Sequence, residues 1–574
     1  MTQPFEPGAR VAREFGRAMQ ALHLRMGGDA AQAASVGRWA ALAWGQADAG
    51  HVCVDVPDES ERAALGASPV VGPSGEPLPL VLDRGALYLQ RLWRAETTLA
   101  HAVRTLDTEV PFACGGGVAR AVGGVFDRAD PDDPQQRAVA CGLERGLTVL
   151  SGGPGTGKTT TLARLLVAFA RAAPQARIVY AAPTGKAAAR LAQSLAAQLP
   201  GLDPSGELRA RLPAAGQTVH RLLGARAGGH AAGRAPLDHD LVIVDEASML
   251  DIELAARLLE SLAPASRLVL AGDRDQLASV EAGAVFADLC AAPLAGVIVL
   301  ERNYRQQDAP DIAALAAGIR RLAAGHGGLS AGIDGRAGGI DSVAGGAGAA
   351  IDWPDTIALA PPAAPQIVDE ALAAWRDALA AIESGAGAQQ VLAAYDRHRV
   401  LAAMREGPHG VDAINAAIGA RVRRLATGSA YEDWYAGRLA MVTKNEPGLG
   451  LFNGDVGVCL PHPERGASDV DLVVAFDGAQ GVRLFPVLQM PACQDAWAMT
   501  VHKSQGSEFD SVALVPAPPG HPLNTRELVY TGVTRARRRL SVWGTREVID
   551  EAARRPTQRH GRLAERLVEL AGRR

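Results

Sequence analysis

From about residue 130 the hydrophobic pattern is a series of short apolar runs. Each is followed by a glycine-rich or polar turn and then by a stretch with helical spacing. The runs are LTVL (147–150), RIVYAA (177–182), LVIVDE (241–246), RLVLAG (267–272) and VIVLER (297–302). Runs of this length alternating with helices predict a parallel sheet covered on both faces. Ligands of such sheets bind outside the carboxyl ends of the strands, where the polar segments of this chain fall. Ahead of the sheet, residues 1–110 read as helical, with amphipathic spacing clearest in LYLQRLWRAETTLAHAV (87–103). Residues 322–350 are dense in Gly and Ala and read as a flexible loop or weakly ordered insertion. A helical region follows to about 425. Then RLAMVTKNE (438–446), DVGVCL (455–460), VDLVVAF (470–476) and VRLFPV (482–487) read as antiparallel strands, with Asn453-Gly454 as a hairpin turn signal. The parallel pattern returns in SVALVP (511–516) and LSVWG (540–544). The expected architecture is α/β, with an N-terminal helical domain (1–110), a first unit (111–295) and a second unit (296–574) that carries a small β-barrel at about 430–490.

Length agrees with several units, since 574 residues at roughly 100–200 per domain give about three to five. The longest apolar stretches, such as 291–300, fall well short of the ~20 residues that span a bilayer, and the N-terminus has no apolar segment of the signal-peptide kind. The expectation is a chain with no membrane association. Six Cys without a C-x-x-C pair suggest neither zinc nor a disulfide framework, so a reducing cytoplasm is expected. A formal charge of −4 gives no global sign of nucleic acid binding, which must rest on local sites. Of 58 Lys+Arg only four are Lys (158, 186, 444 and 503), leaving 58 − 4 = 54 Arg. Lysine presents a compact ammonium where the wide guanidinium fork does not fit, and three of the four lie in the motifs below.

Gly152-Gly153-Pro154-Gly155-Thr156-Gly157-Lys158-Thr159 is a full G-x-x-x-x-G-K-[ST] match between the run LTVL and the helical stretch TTLARLLVAFARA. Backbone N–H groups there cradle a β-phosphate, the helix N-terminus adds positive potential, and Lys158 reaches the β/γ oxygens. Thr159 is the expected ligand of Mg²⁺, and Thr160 extends the phosphate loop of an ATP site. The run ending in Asp245-Glu246 supplies a carboxylate for the Mg²⁺ shell (Asp245) and a general base for water (Glu246). Gln276 in GDRDQL ends the next strand and is placed to sense or orient that water. Arg305 and Arg535 are candidates to neutralise charge on the γ-phosphoryl group, although spacing alone also allows either to be a surface residue. Gln136 is a weaker candidate, for the adenine edge.

The ordered set resembles the superfamily 1 helicases, and within them the RecD family, the alpha subunits of bacterial exodeoxyribonuclease V (RecBCD). The resemblance is carried by SGGPGTGKTTT (151–161), APTGKAAARL (182–191), TVHRLLG (218–224), VIVDEASMLD (242–251), LAGDRDQLASVEAGAVFADL (270–289), LERNYRQ (300–306), TVHKSQGSEFDSVALV (500–515) and ELVYTGVTRAR (527–537). It runs from about 130 to 545, and KNEPGLGLFNGDVGV (444–458) and LYLQRLWRAE (87–96) are similar to RecD in particular.

The resemblance implies two RecA-like motor domains with ATP at their interface, an SH3-like fold for the β insertion, and 5′-to-3′ translocation on single-stranded DNA from a duplex end. It further implies strand contacts from Thr184, Lys186, Thr218, His220, Thr500, His502 and Lys503, which would hold phosphate and sugar without reading sequence. His220 and His502 read from sequence alone equally as capped helix starts or core histidines. A strand-separating pin would have to lie in 196–217. Large RecB-like and RecC-like subunits are the implied partners, docked on the first 110 residues, with the nuclease centre in another subunit. A free-standing RecD-like helicase, a non-translocating ATP switch and a structural subunit with a silent ATP site are the alternatives. A short N-terminal region speaks against the first of these, and the intact motifs speak against the last.

Overall fold

The computed structural model describes residues 7–73, 75–111, 117–209, 211–224, 236–304, 309–324, 351–427, 433–446, 448–462, 472–478 and 481–572. The fold is mixed α/β around two parallel sheets. In the first, β5 (Leu147–Gly152), β6 (Ile178–Ala182), β7 (Gln217–Thr218), β8 (Leu241–Val244), β9 (Arg267–Gly272) and β10 (Val297–Leu300) take the order β10-β5-β9-β8-β6-β7. All five pairings are parallel. The central strands β5, β8 and β9 are buried at every position, which is why their sequences are mainly apolar, the exceptions Thr148, Ser151 and Arg267 being buried themselves. Because β10 pairs with β5, the first unit extends past the expected boundary at 295 to Leu300.

The second sheet contains β11 (Ala358–Ala360), β12 (His398–Ala402), β18 (Ala498–Thr500), β19 (Phe509–Val515) and β20 (Ala536–Trp543), in the order β11-β20-β19-β12-β18 and also parallel. Between them, β13 (Leu439–Val442), β14 (Val456–Pro461), β15 (Leu472–Phe476), β16 (Arg483–Pro486) and β17 (Cys493–Asp495) form an antiparallel sheet, β16-β15-β14-β13-β17. The turn residue Gly454 takes φ +94°, and its N–H returns to Val442 O at 2.9 Å.

The N-terminal region differs from the helical domain expected. β1 (Cys53–Asp55), β2 (Val71–Gly72), β3 (Leu80–Asp83) and β4 (Ala86–Leu89) form a sheet of order β1-β4-β3-β2 beside helices Pro7–Arg25, Ala33–Asp48 and Gln90–Leu106. Leu87, Tyr88 and Leu89, which fit a helical period, belong to β4, where all four residues are buried. The helix starts at Gln90 and buries Leu92, Leu99, Val103 and Leu106. That seam packs on the helix Ile252–Glu260 and shares one hydrophobic core with Val149, Val242 and Leu270 of the first sheet.

The expected pin segment contains no hairpin among its described residues. Residues 196–202 continue the helix Gly185–Leu202, with Pro200 in its last turn, and turns lead on to β7. Segment 325–350, most of the Gly/Ala-rich stretch, lies outside the described residues. No helix among the described residues is long and apolar enough to cross a membrane.

The chain's last residues return to its first domain. Arg555 O accepts from Arg526 N at 2.9 Å, and Thr557 donates from both N and Oγ1 to Glu527 Oε2 at 2.7 Å, so both residues are tied to the second unit. Arg559 then donates to Ala49 O (3.1 Å) and Ser279 O (3.0 Å), and His560 O accepts from Val52 N at 2.7 Å. The closing helix Leu563–Ala571 sets Arg566 Nε on Glu96 Oε2 (2.9 Å) and Arg566 Nη2 on Asp83 Oδ2 (2.7 Å).

Candidate nucleotide and strand sites

β5 ends at Gly152, and the helix Lys158–Ala172 begins six residues later. Gly155 (φ +80°) and Gly157 (φ +86°) turn the loop between them in left-handed conformations. At Gly157 the left-handed backbone favours glycine, and a Cβ there would push the Gln135 amide aside from 2.5 Å. The Lys158 ammonium donates to the loop carbonyls of Gly152 and Gly153, and Thr156 Oγ1 donates to Gly153 O at 2.8 Å. The loop and Lys158 line a cavity of about 860 Å³.

Asp245 and Glu246 leave the end of β8 into the same cavity. Glu246 is held at φ +53°, a strained setting for a side chain with a Cβ, and its N–H donates to Asp245 Oδ1 at 2.9 Å. Burial raises the pKa of Asp245 against the pull of Lys158. Glu246 is raised first by burial and then by the Asp245 charge, with Arg535 and Lys158 opposing. Two adjacent carboxylates disfavoured as anions form a site that welcomes a hard cation or a proton.

Gln276 follows β9. Its Nε2 donates to Asp273 Oδ2 at 3.1 Å, while its Oε1 is buried without a partner. Arg535 comes from the second unit, just before β20. It is 2% exposed and is aimed by bonds from Nε to Thr531 O (3.2 Å) and Nη1 to Ser507 O (3.1 Å). It lines the cavity with Lys158, Thr159, Thr160, Asp245, Glu246 and Gln276, so residues from both sheets meet around one space. Arg305 lies outside the described residues.

Gln136 also lines the cavity, but its amide is engaged at both ends: Nε2 donates to Arg128 O (2.8 Å) and Oε1 accepts from Asp130 N (3.0 Å). It shapes the 128–130 loop and keeps one amide N–H beyond that bond. Flat surfaces at this end come from residues the sequence reading missed. Arg164 stacks over Phe126 at 4.3 Å, and Tyr304 is fixed by its N–H to Gly155 O at 2.9 Å.

Arg190 was missed as well. It donates Nη1 to Gly506 O (2.8 Å) and Nη2 to Glu508 Oε2 (2.7 Å), joining the first unit to the second at the cavity wall. It stands one helical turn after Lys186 in APTGKAAARL, and that spacing is the signal that could have singled it out.

The expected strand contacts fall into two groups. Thr184, Thr218 and Thr500 each accept from a backbone N–H three residues on, from Ala187, Arg221 and Lys503 respectively. The first two are helix N-caps. Lys186 and Thr218 line a cleft of about 650 Å³, together with Arg221, Phe452 and Arg483. The surrounding protein lowers the pKa of Lys186. Thr184 and the exposed His220 are not among the residues lining that cleft, and neither is the 500–503 segment at the carboxyl end of β18. There burial and then Arg559 lower the pKa of His502, and burial and then Arg405 lower that of Lys503.

The cavity's oxygen donors suit magnesium: one hydroxyl (Thr159) and one carboxylate (Asp245) leave the remaining positions to water and phosphate. No cluster of three or more His, Cys, Asp or Glu that could hold a metal by itself occurs among the described residues.

A family profile described as an AAA domain matches residues 131–338, and one described as a UvrD-like helicase C-terminal domain matches 495–543. The chain is 37% identical over 563 residues to the RecBCD enzyme subunit RecD of Mycolicibacterium smegmatis, covering 93% of this chain and 94% of the relative. It is 30% identical over 545 residues to the RecBCD enzyme subunit RecD of Haemophilus influenzae, covering 87% and 82%. It is 32% identical over 503 residues to the ATP-dependent RecD2 DNA helicase of Deinococcus radiodurans, covering 84% of this chain and 59% of that one.

Proposed function

From the premise that this chain belongs to the RecD family of superfamily 1 DNA helicases, we propose how its cavity and its ends do the family's work. The chain is an ATP-dependent DNA helicase, the RecD subunit of a RecBCD enzyme. The observation that carries the mechanism is that Arg535 of the second unit lines one cavity with Lys158, Asp245, Glu246 and Gln276 of the first. The two units are motor domains, and a nucleotide between them makes hydrolysis depend on their closure.

Lys158 and the 152–157 backbone hold the β- and γ-phosphates of ATP. Thr159 and Asp245 hold Mg²⁺, which when bound screens the phosphate charge. Glu246 takes a proton from the attacking water as the water oxygen bonds to the γ-phosphorus and the bond to the bridging oxygen breaks, leaving ADP and phosphate. Gln276 orients that water, and Arg535 meets the charge on the γ-phosphoryl oxygens. Tyr304, Phe126 and Arg164 offer flat faces to the adenine, with Gln136 holding the loop beneath them.

Thr184, Lys186, Thr218, His220, Thr500, His502 and Lys503 hold single-stranded DNA, which moves 5′ to 3′ as the units cycle. Arg305 remains a second candidate for the γ-phosphate. The antiparallel 439–495 sheet serves as the SH3-like insertion, and residues 1–110 dock the RecB-like and RecC-like subunits in a cytoplasmic complex that acts on duplex ends in break repair and recombination. The identity of 37% to a RecD subunit against 32% to a RecD2 helicase favours the subunit over the free-standing enzyme.

Lys158→Gln tests the reading. ATP turnover in the presence of single-stranded DNA should be abolished while thermal unfolding stays within a few degrees of the parent. Retained turnover would refute the site.

A further inference from the structure

The 273–277 loop carries Gln276, and the second unit grips it at three points. Tyr530 OH donates to Asp273 Oδ2 at 3.1 Å. Thr531 Oγ1 accepts from Leu277 N at 3.0 Å, and Gln505 Nε2 donates to Leu277 O at 2.8 Å. All three side chains are buried. Leu277, the residue after Gln276, is therefore pinned through both its N–H and its C=O to the opposite unit.

The Asp273 oxygen that takes the Tyr530 hydroxyl also takes the Gln276 amide, at 3.1 Å. A carboxylate has no hydrogen to donate, so of the two ends of the Gln276 amide only the NH₂ can face it, which turns Oε1 the other way. That oxygen is buried, without a partner, on a residue that lines the nucleotide cavity. Buried acceptors are nearly always satisfied, so an orphan beside a phosphate site marks a place where a ligand atom completes the bond.

The Gln505 contact adds direction. It lies two residues past Lys503 in the segment TVHKSQG, and the bond to Leu277 O ties this segment to the loop.

We propose that Tyr530 is a positioning residue for hydrolysis: with Thr531 and Gln505 it clamps the 273–277 loop so that Gln276 Oε1 meets the attacking water only when the two units are closed. The inference rests on the ATP-hydrolysis reading above and deepens it, since it gives strand engagement at 500–503 a bonded route to the water.

Tyr530→Phe keeps the packed ring and deletes one hydroxyl. In the full chain with saturating single-stranded DNA, kcat for ATP should fall about tenfold while KM stays within about twofold, because Tyr530 acts through Asp273 and Gln276 and not on the bound nucleotide. Adding Tyr530→Phe to Gln276→Ala should cost nothing further, as expected of residues in one chain of contacts. A kcat within twofold of the parent would overturn the proposal, and so would losses that multiply independently in the double variant. Gln505→Met should reduce the stimulation by DNA at least fivefold, and unchanged stimulation would count against the route from the strand. Abolition of turnover by Lys158→Gln establishes the hydrolysis reading separately, so an inert Tyr530→Phe would sink the clamp alone.

Discussion

Replacing Arg190 by alanine removes the only side chain of the 185–202 helix shown above to bond both to the backbone and to a side chain of the second unit. Two bonds are lost, to Gly506 O at 2.8 Å and to Glu508 Oε2 at 2.7 Å. The Arg190 side chain is 34% exposed and that of Glu508 9%, so the ion pair is partly screened and belongs near the low end for charged hydrogen bonds. At about 1 kcal/mol each, the closed arrangement loses about 2 kcal/mol, a factor of roughly 30. Glu508 keeps Arg537 Nε at 3.3 Å and is not stranded as a bare anion, so the fold of each unit is spared. Steady-state ATP hydrolysis with saturating single-stranded DNA should show kcat/KM reduced about 30-fold with the melting temperature nearly unchanged. Arg190→Lys should fall between, because an ammonium cannot fork to two acceptors in the same way. A kcat/KM for Arg190→Ala within twofold of the parent would refute the idea that this contact holds the closed state.

The remaining predictions concern protons and the N-terminal seam. Glu246 must be ionised to act as base, and burial and Asp245 raise its pKa; kcat should therefore fall on acidification at a pH above the ordinary carboxylate range, a limb that pH–rate profiles would detect, and Glu246→Gln should abolish turnover while retaining nucleotide binding. His398 is pushed down to about 3 by burial, then Arg399. It stays neutral when folded while the unfolded chain takes a proton below about 6.5, so its contribution is complete above that pH and is lost on acidification, by about 2 kcal/mol at pH 5. Unfolding of His398→Gln between pH 7 and 5 should lack that part of the slope. Arg566→Met leaves Glu96, which is 0% exposed, without its cation; two donors, Tyr88 OH and Arg562 N–H, remain, so the cost should be about 3 kcal/mol, read by thermal unfolding and partly recovered by adding Glu96→Gln.

The parallel strands were legible because burial on both faces leaves mainly apolar residues, as in LTVL and the LVIV that precedes Asp245. β12 was not, since HRVLA begins with His398 and Arg399, both buried, and sits between helical stretches. β4 was misread because Ala86–Leu89 runs without a break into a true amphipathic helix, and only its burial on both faces separates the two. At the site, Lys158 opens a helix and Asp245 and Glu246 directly follow a strand, which makes them legible in the sequence, whereas Gln276 and Arg535 came from their motifs. Tyr304 and Tyr530 could not be named from the sequence, and for Arg190 the one signal was its place a helical turn after Lys186. Their positions matter through partners 149 to 318 residues away in the chain, and a local pattern does not contain that distance. Gln136 lines the cavity as its type suggested, and its amide also holds the 128–130 backbone through one bond at each end, which spacing did not reveal.

Between Thr557, tied to Glu527 of the second unit, and Arg559, tied to Ala49 and Ser279, stands one residue, Gln558. Two residues of chain reach at most about 7 Å, so the halves of the engine cannot separate at this seam without tearing those bonds. Their relative movement is accordingly a swing about a stationary pivot, with displacement accumulating along the lever arm away from residues 557–559. A load applied to the first domain is borne at the fulcrum.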